Sequence, residues 1–264
     1  MRVAIVGYGR MGHEVEAVLA ERGHDVAAVI DPVLAHEGGT GNRSADAHGP
    51  RYAAAVSAET LTDCDVAIEF SLSAGVLDNV SAYAEAGVAA VLGTTGWLDQ
   101  LDQVRSIVES GSGALVWGSN FSIGAHLFFR VAAYASSLVR DLDEYDLLIH
   151  EMHHRGKKDS PSGTALTLAE AVLAQVPRKT RTETARLDRQ PEPEELHVSS
   201  SRGGSIPGTH TLYLDSAADT IEVRHQARNR SGFALGAVRA AEWIVNQTGM
   251  FTVEQFIDEL LNRR

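Results

Sequence analysis

The chain has 264 residues, a length at which one hydrophobic core stops growing, so two domains are expected. It carries 35 acidic and 23 basic side chains, and the formal charge of −12 disfavours nucleic acid and anionic membrane surfaces as partners. The single cysteine, Cys64, excludes an internal disulfide and a thiolate metal cluster, and no apolar run approaches the roughly 20 residues that span a bilayer. With no recognisable leader, a soluble cytoplasmic protein without a metal is expected.

The first half of the chain alternates between strand and helix patterns. Short apolar runs, typical of parallel strands buried on both faces, predict strands at 3–6, 26–30, 65–70, 88–92 and 114–117. Apolar residues at helical spacing between these runs predict helices, among them 75–86 and 98–110. The alternation predicts an α/β fold with a Rossmann-type doubly wound parallel sheet, which binds ligands at the carboxyl ends of its strands. The glycine-rich run at 38–41 is predicted to be a loop.

A glycine-rich loop joins the first strand to the first helix. Its residues are Gly7, Tyr8, Gly9, Arg10, Met11 and Gly12. In this spacing the first glycine permits a tight turn, the second lets the backbone approach a pyrophosphate, and the third lets the helix pack against the strand. Amides at the helix N-terminus then attract phosphate. The position between a strand and a helix favours a nicotinamide dinucleotide site over ordinary turn glycines.

An acidic residue ends the second strand. Asp31 follows Gly12 by about 20 residues, the spacing at which a carboxylate accepts hydrogen bonds from the adenosine ribose. The alternative is that Asp31 is an ordinary loop acid. As a ribose ligand it would repel a 2′-phosphate, and Pro32 stands where a phosphate-binding arginine would be expected. NADH is therefore favoured as the cofactor, and NADPH stays open.

The second half of the chain has a different pattern. A helix is predicted at 125–142, a strand at 145–152 and a polar loop at 153–163. A second helix is predicted from 166, and a mobile polar connection at 178–195. Three further runs alternate like strands with no helices between them, at 196–200, 209–214 and 220–227. They predict a second α+β domain built on a mixed or antiparallel sheet, whose open face suits an oligomer interface.

The last two predicted helices return to the first domain. Both 232–246 and 253–261 have apolar stripes that are expected to pack against it. The predicted domains are therefore a dinucleotide-binding domain at 1–121 and 233–264, and a substrate-binding and oligomerisation domain at 122–232.

Residues 150–154 read H-E-x-x-H, the signature of zinc proteases. Zinc binding by this signature needs His150 and His154 on one helical turn, yet the preceding residues have no helical stripe. In a strand the two histidines would stand roughly 13 Å apart. No zinc site is predicted from this motif.

The loop that follows concentrates cations in an acidic chain. Three of its side chains can donate protons in or near the physiological range, namely His153, His154 and Lys157. It leads into the predicted start of a helix, with capping side chains and anion-binding amides at Ser162, Gly163 and Thr164. Cations that face a helix N-terminus form a receptor for carboxylates. A solvated basic turn followed by a capped helix is the alternative that these residues alone leave open.

These residues carry a family resemblance. The pattern E-x-H-H-x-x-K-x-D-x-P-S-G-T-A is met by Glu151, His153, His154, Lys157, Asp159, Pro161, Ser162, Gly163, Thr164 and Ala165. Further segments agree in order, at 10–12, 93–96, 120–124, 202–203, 208–210 and 225–230, followed by Phe233, 236–237 and Trp243. Over nearly its whole length the chain resembles the 4-hydroxy-tetrahydrodipicolinate reductase family, also called dihydrodipicolinate reductases.

The resemblance implies an NAD(P)H-dependent reduction of a cyclic dicarboxylate to tetrahydrodipicolinate, in lysine and diaminopimelate biosynthesis. It implies that His153 is a proton donor and acceptor and that Lys157 is a proton donor. The substrate contacts it implies are His154, Ser162, Gly163 and Thr164. The cofactor contacts are the glycine loop and Asp31, with Gly93, Thr94, Thr95, Gly118, Ser119, Asn120 and Phe121. A homotetramer assembled through the mixed sheet is also implied.

Two departures from the family bear on the adenosine end of the cofactor. The first glycine loop is one residue shorter than in many members, and Asp31-Pro32 replaces the acidic-then-basic pair of some members. Two other functions are also considered. One is an aspartate or diaminopimelate dehydrogenase, which the loop at 153–165 disfavours. The other is a non-catalytic NADH-sensing protein, for which the chain has no basic DNA-binding segment.

Overall fold

The computed structural model describes residues 1–36, 49–111 and 113–262. The loop predicted at 38–41 lies outside the described residues. The chain forms two compact units, Met1–Ile123 with Arg230–Arg264, and Gly124–Asn229. The predicted domain bounds lie within a few residues of these.

The elements follow in chain order. The first unit begins with β1 Arg2–Val6, α1 Arg10–Glu21, β2 Asp25–Ile30, α2 Pro32–His36, β3 Arg51–Ala53, β4 Val66–Glu69, α3 Val76–Ala86, β5 Ala89–Leu92, α4 Leu101–Ser110 and β6 Ala114–Trp117. The second unit comprises α5 Ile123–Leu138, which begins one residue before the unit boundary, then β7 Asp146–His153, α6 Gly163–Leu173, β8 Arg181–Glu183, β9 Glu195–Arg202, β10 Thr209–Asp215 and β11 Thr220–Gln226. The first unit ends with α7 Ser231–Ile244, β12 Gly249–Thr252 and α8 Val253–Asn262.

The first unit is a parallel sheet of seven strands in the order β12-β6-β5-β4-β1-β2-β3. Alternate residues of β1 enter opposite cores: Val3 and Ile5 pack with α1, α7 and α8, whereas Ala4 and Val6 pack with α3 and α4. Helices therefore cover both faces, which explains the continuous apolar runs of the strands. The predicted doubly wound Rossmann-type fold is confirmed.

Three elements of this unit were not predicted. Strand β12 is only half-buried and pairs with β6 at one edge, and β3 is a three-residue strand at the other edge. Short edge strands carry a weak apolar pattern, because only one neighbour and part of each face cover them. Helix α2 begins at Pro32, whose fixed φ suits the first turn of a helix.

The second unit is a mixed sheet in the order β11-β10-β7-β9-β8. Strand β10 runs antiparallel to β7 and β11, while β9 runs parallel to β7 and β8. One face packs on α5 and α6, where Leu147 and Ile149 of β7 meet Leu168 of α6. The predicted mixed sheet is confirmed.

The expected mobile connection at 178–195 contains ordered structure instead. Residues Arg181–Glu183 form β8 and pair with β9. Buried Glu195 binds Arg181 at 3.1 Å and Arg189 at 2.8 Å, and buried Lys179 donates to the Glu195 carbonyl at 2.8 Å. The sequence pattern is polar because ion pairs, rather than an apolar face, hold this segment. Within the described ranges, no helix is both long and apolar enough to cross a membrane.

A close backbone approach fixes α7 in the first unit. A Cβ added to Gly236 would lie 1.6 Å from the carbonyl oxygen of Phe121. We expect Gly236→Ala to lower the free energy of unfolding by about 1–3 kcal/mol or more, although alanine is intrinsically the better helix former by about 1 kcal/mol. Chemical denaturation measures the difference. Gly232→Ala in the same helix is the control, because its Cβ would meet only Ser122 Oγ at 3.7 Å. Equal stability of the two variants would contradict the packing argument.

Candidate functional site

The glycine loop has the geometry of a phosphate cradle. Gly7 has φ +84°, and its Cβ would lie 2.2 Å from the Phe70 carbonyl oxygen. The Cβ of an alanine at position 12 would lie 2.5 Å from the Gly7 carbonyl oxygen. At Gly9, by contrast, nothing described lies within 4 Å of an added Cβ, and no described side chain caps α1. Gly7 and Gly12 are therefore required by the fold, whereas the open cradle at Gly9 fits the backbone approach of a dinucleotide pyrophosphate.

Asp31 holds the glycine loop as well as the following helix. Its Oδ2 accepts a hydrogen bond from the Tyr8 amide at 2.8 Å, and its Oδ1 accepts one from the Val33 amide at 2.8 Å. Oδ1 also accepts a hydrogen bond from the Leu34 amide at 3.4 Å, so Oδ2 is the oxygen that keeps a lone pair for a ligand. The structure thus brings Asp31 beside the loop, as the sequence spacing predicts, and adds a positioning role that the spacing did not reveal.

The other predicted cofactor residues follow neighbouring strands β5 and β6, and several serve the packing of the unit. Gly93 has no room for a side chain, because its Cβ would lie 2.1 Å from Phe70 Cε1. Buried Thr94 accepts a hydrogen bond from the Ser71 amide at 2.8 Å through Oγ1. Gly118 and Phe121 are buried, Asn120 is half-buried and accepts from the Ser122 amide at 2.8 Å, and Thr95 and Ser119 are exposed. Thr94 and Phe121 could therefore reach a ligand only through their backbone.

A buried carboxylate at the end of β4, next to β5, was not predicted from the sequence. Glu69, fully buried at the end of β4, accepts hydrogen bonds from Ser71 at 2.5 Å, Asn79 at 2.9 Å and Tyr83 at 2.7 Å. Burial raises the pKa of Glu69, and these hydrogen bonds oppose the rise. A charged residue ending an apolar strand was the available signal. Because Ser71 also donates to Thr94, the cluster supports the loop after β5.

Strand β7 positions the histidine site of the second unit. Its burial alternates, so Glu151 and His153 lie on the same buried face as Leu147 and Ile149. His150 lies on the opposite face and contacts Ser199 Oγ at 2.8 Å. The strand confirms that H-E-x-x-H is not on a helix here. It also includes His153, which was predicted to begin the polar loop.

The buried carboxylate of Glu151 is the centre of this site. Its Oε1 accepts from Arg202 Nη2 at 2.6 Å and from the Ser162 amide at 3.1 Å. Its Oε2 lies 2.6 Å from His153 Nδ1 and 3.7 Å from His210 Nε2. Burial alone would raise the pKa of Glu151, but hydrogen bonds from Ser162 and Arg202 outweigh it and lower the pKa to about 2. The carboxylate is therefore ionised at neutral pH.

The two buried histidines are held mainly neutral. Burial lowers the pKa of His153; the charge of Glu151 raises it, and the charges of Lys157 and Arg202 lower it further. Burial, reinforced by the charge of His153, lowers the pKa of His210 to about 4. The donors of Glu151, His153 and His210 lie within 4.8 Å of one another, a spacing that a cation could use. The Arg202 guanidinium on the same carboxylate opposes a second cation, so we assign no metal to them.

The loop after β7 leads to the N-terminus of α6. Ser162 Oγ caps this helix by accepting from the Ala165 amide at 3.2 Å, and it contacts His210 Nε2 at 3.2 Å. Its side chain is buried and held by these contacts, its amide donates to Glu151, and its carbonyl accepts from the Leu166 amide at 3.1 Å. The polar groups of Ser162 therefore all have partners within the protein. Gly163 is exposed, His154 and Thr164 are half-buried, and Lys157 Nζ pairs with Asp159 at 3.0 Å.

Three residues of the histidine site in the second unit had no predicted role: Glu151, Arg202 and His210. The signal for Glu151 was a carboxylate at a buried position of an alternating strand. Arg202 and His210 come from β9 and β10, and only the sheet pairing brings them to β7. Long-range pairing of this kind leaves no local pattern.

A glycine cradle with a carboxylate beside it, and a second unit that presents histidine, lysine and helix amides, define a nicotinamide-dinucleotide oxidoreductase. Matches to two family models identify the family within this class. The model described as dihydrodipicolinate reductase, N-terminus, matches residues 1–121, and the C-terminus model matches residues 124–257. The chain belongs to the dihydrodipicolinate reductase family, NAD(P)H-dependent oxidoreductases of lysine biosynthesis, and the predicted resemblance is confirmed.

Curated relatives are similar to this chain over nearly its whole length. The 4-hydroxy-tetrahydrodipicolinate reductase of Christiangramia forsetii is 34% identical over 262 residues, covering 98% of this chain and 99% of the relative. That of Acinetobacter baumannii is 34% identical over 262 residues, covering 93% and 92%. The fold matches a dihydrodipicolinate reductase structure from Paenisporosarcina sp. TG-14 with a TM-score of 0.74, at 24% identity over 96% of this chain and 97% of that one. These findings favour the reductase over the dehydrogenase and sensor alternatives.

Because Gly9 has open space around it and Gly12 does not, alanine variants at these two positions test the cofactor cradle. We expect Gly9→Ala to leave the melting temperature unchanged and to weaken NADH binding at least tenfold, because only a bound pyrophosphate would meet the new methyl group. Titration of NADH fluorescence measures the affinity. Gly12→Ala is the comparison variant and should lower the melting temperature, because its methyl group meets the Gly7 carbonyl. Unchanged NADH affinity in Gly9→Ala would contradict the assignment of the cradle.

Proposed function

We propose that the chain reduces 4-hydroxy-tetrahydrodipicolinate to tetrahydrodipicolinate, with NADH as the favoured cofactor. The observation that supports it best is the juxtaposition of His153, Lys157 and the α6 N-terminus in the second unit. The Paenisporosarcina relative was solved with dipicolinate bound, a flat cyclic dicarboxylate. A site with lysine and helix-terminal amides suits the carboxylates of such a ring.

Each unit has its own part in the proposed reaction. In the first unit, the glycine loop and Asp31 bind the dinucleotide by its pyrophosphate and ribose. Loss of the 4-hydroxyl group of the substrate as water leaves a conjugated imine, and the reduced nicotinamide, when bound, would supply the hydride that reduces it. In the second unit, Gly163 and Thr164 offer amides to a substrate carboxylate, and His154 is a further contact. His153 and Lys157 supply the proton that neutralises the charge left on the ring.

We also propose that the protein is a cytoplasmic homotetramer assembled through the mixed sheet. The support is the family resemblance, together with the exposed outer strand β11, on which Ile221 is 49% exposed.

The role of Lys157 predicts a kinetic difference. Lys157→Ala should lower kcat about a hundredfold, the contribution typical of a positioned proton donor, and leave the Kd for NADH within twofold of wild type. Steady-state turnover and NADH fluorescence titration measure the two effects. Lys158→Ala is the matched control, because this exposed neighbour has no proposed contact, and it should keep wild-type turnover. Turnover of Lys157→Ala at the parental rate would remove Lys157 from the mechanism.

The position of Asp31 predicts cofactor preference. We expect kcat/KM to be higher with NADH than with NADPH, because a carboxylate at this position repels a 2′-phosphate. Asp31→Ser, which retains a helix-capping oxygen, should raise the NADPH-to-NADH ratio of kcat/KM at least tenfold. Asp25→Ser, at the other end of β2, is the control for charge loss and should leave the ratio unchanged. A tenfold preference of the wild type for NADPH would show that Asp31 does not select the cofactor.

A further inference from the structure

We propose that Glu151 is a positioning residue for His153: its buried carboxylate fixes the Nδ1 side of the imidazole and favours the protonated ring, leaving Nε2 for the substrate. The proposal rests on the proposed role of His153 as a proton donor. It assigns Glu151 a function through His153 rather than a contact with the substrate.

The first support is the way in which the carboxylate is held. Glu151 is fully buried, and Arg202 and the Ser162 amide fix its Oε1 at 2.6 Å and 3.1 Å. The remaining oxygen, Oε2, lies 2.6 Å from His153 Nδ1, obliquely to the ring N–H. The contact is therefore close but not a linear hydrogen bond, and it becomes an ion pair when the ring is protonated. A carboxylate held rigidly by two other groups can orient the ring that it faces.

The second support is the residue that lies against the other side of the ring. A Cβ at Gly208 would lie 3.0 Å from His153 Nε2, and Gly208 has φ +150°, a conformation that favours glycine. The residue before β10 thus places no side chain of its own against Nε2. With Nδ1 on Glu151, Nε2 is the nitrogen left for proton transfer.

A purely structural role for Glu151 is the competing explanation. Arg202 Nη2 also donates to the Asp159 carbonyl at 2.6 Å, so the Glu151–Arg202 pair ties the loop after β7 to β9. If that were its whole purpose, removing either charge would have the same effect on His153. The positioning role instead makes opposite predictions, because the Glu151 charge raises the pKa of His153 and the Arg202 charge lowers it.

Four groups face His153 from the elements around it. Glu151 lies on the same strand, Lys157 on the following loop, Arg202 at the end of β9 and His210 on β10. His210, with its pKa lowered to about 4, stays neutral across the physiological range. The anionic charge that opposes the two cations is therefore that of Glu151.

The experiment compares Glu151→Gln with Arg202→Gln in the full-length enzyme. Because the donor must be protonated, turnover falls as the pH rises through the pKa of His153. Glu151→Gln should move this alkaline limb of the kcat profile to lower pH and reduce kcat about ten- to a hundredfold, with the KM for NADH unchanged. Arg202→Gln should move the limb to higher pH. Shifts of both variants in the same direction, or no shift in either, would overturn the positioning role.

A direct titration separates this inference from the proposed function. Histidine-labelled protein, with His153→Asn for assignment, reports the ring pKa by NMR whether or not the enzyme turns over. Opposite NMR shifts in the two variants support the inference. If the kcat profile fails to follow those shifts, the proposed donor role of His153 is wrong while its coupling to Glu151 stands. If Glu151→Gln does not fold, Glu151→Asp takes its place, since withdrawing the carboxylate from Nδ1 should shift the pKa in the same direction.

Glu195→Gln is the matched control. Glu195 is also a buried carboxylate paired with arginine, and it lies at the other end of β9, roughly 23 Å of extended strand from Arg202. The variant should lower the melting temperature and leave the His153 titration unchanged. A shift of that titration in Glu195→Gln would show that any lost ion pair in this unit perturbs His153, and would remove the support for Glu151.

Discussion

Burying a carboxylate costs free energy unless hydrogen bonds and opposite charge replace its water, and the second unit is built around one such group. Glu151 lies on β7, and its partners come from β9, β10 and the start of α6. Satisfying one carboxylate therefore brings three strands and a helix N-terminus together. The same contacts place an imidazole, a guanidinium and helix amides within one small region, so the chemistry of the site follows from the electrostatic requirement of Glu151.

The constraint on the first unit is steric rather than electrostatic. Neighbouring backbone leaves no room for a Cβ at Gly7 and Gly12, and the Phe70 ring leaves none at Gly93. Gly9 is the position in the loop where space remains. Close packing thus leaves one part of the loop open for a ligand, and the buried Glu69 cluster supports the adjoining loop through Ser71 and Thr94.

The parts of the structure that sequence reasoning reached are those with a local signal. Apolar runs and helical stripes located the Rossmann-type sheet, and glycine spacing located the cradle. Polar segments held by ion pairs were misjudged, as the ordered β8 shows, and short edge strands such as β12 were missed because their apolar pattern is weak. In the candidate site, His153 and Lys157 were predicted from their motif, whereas Arg202 and His210 approach Glu151 only through sheet pairing. Ser162 was predicted as a possible helix cap and, from the resemblance, as a substrate contact, and the structure confirms the cap.

Three backbone amides donate to Asp31, those of Tyr8, Val33 and Leu34, and they constrain which residues can replace it. A residue without such contacts could mutate freely under selection for a different cofactor. At position 31, most replacements would leave a backbone donor of the loop or of α2 without its partner. The short side chains that can still accept a hydrogen bond are few. A substitution at position 31 therefore affects folding as well as cofactor binding, and few single substitutions there can change the cofactor specificity without loss of stability.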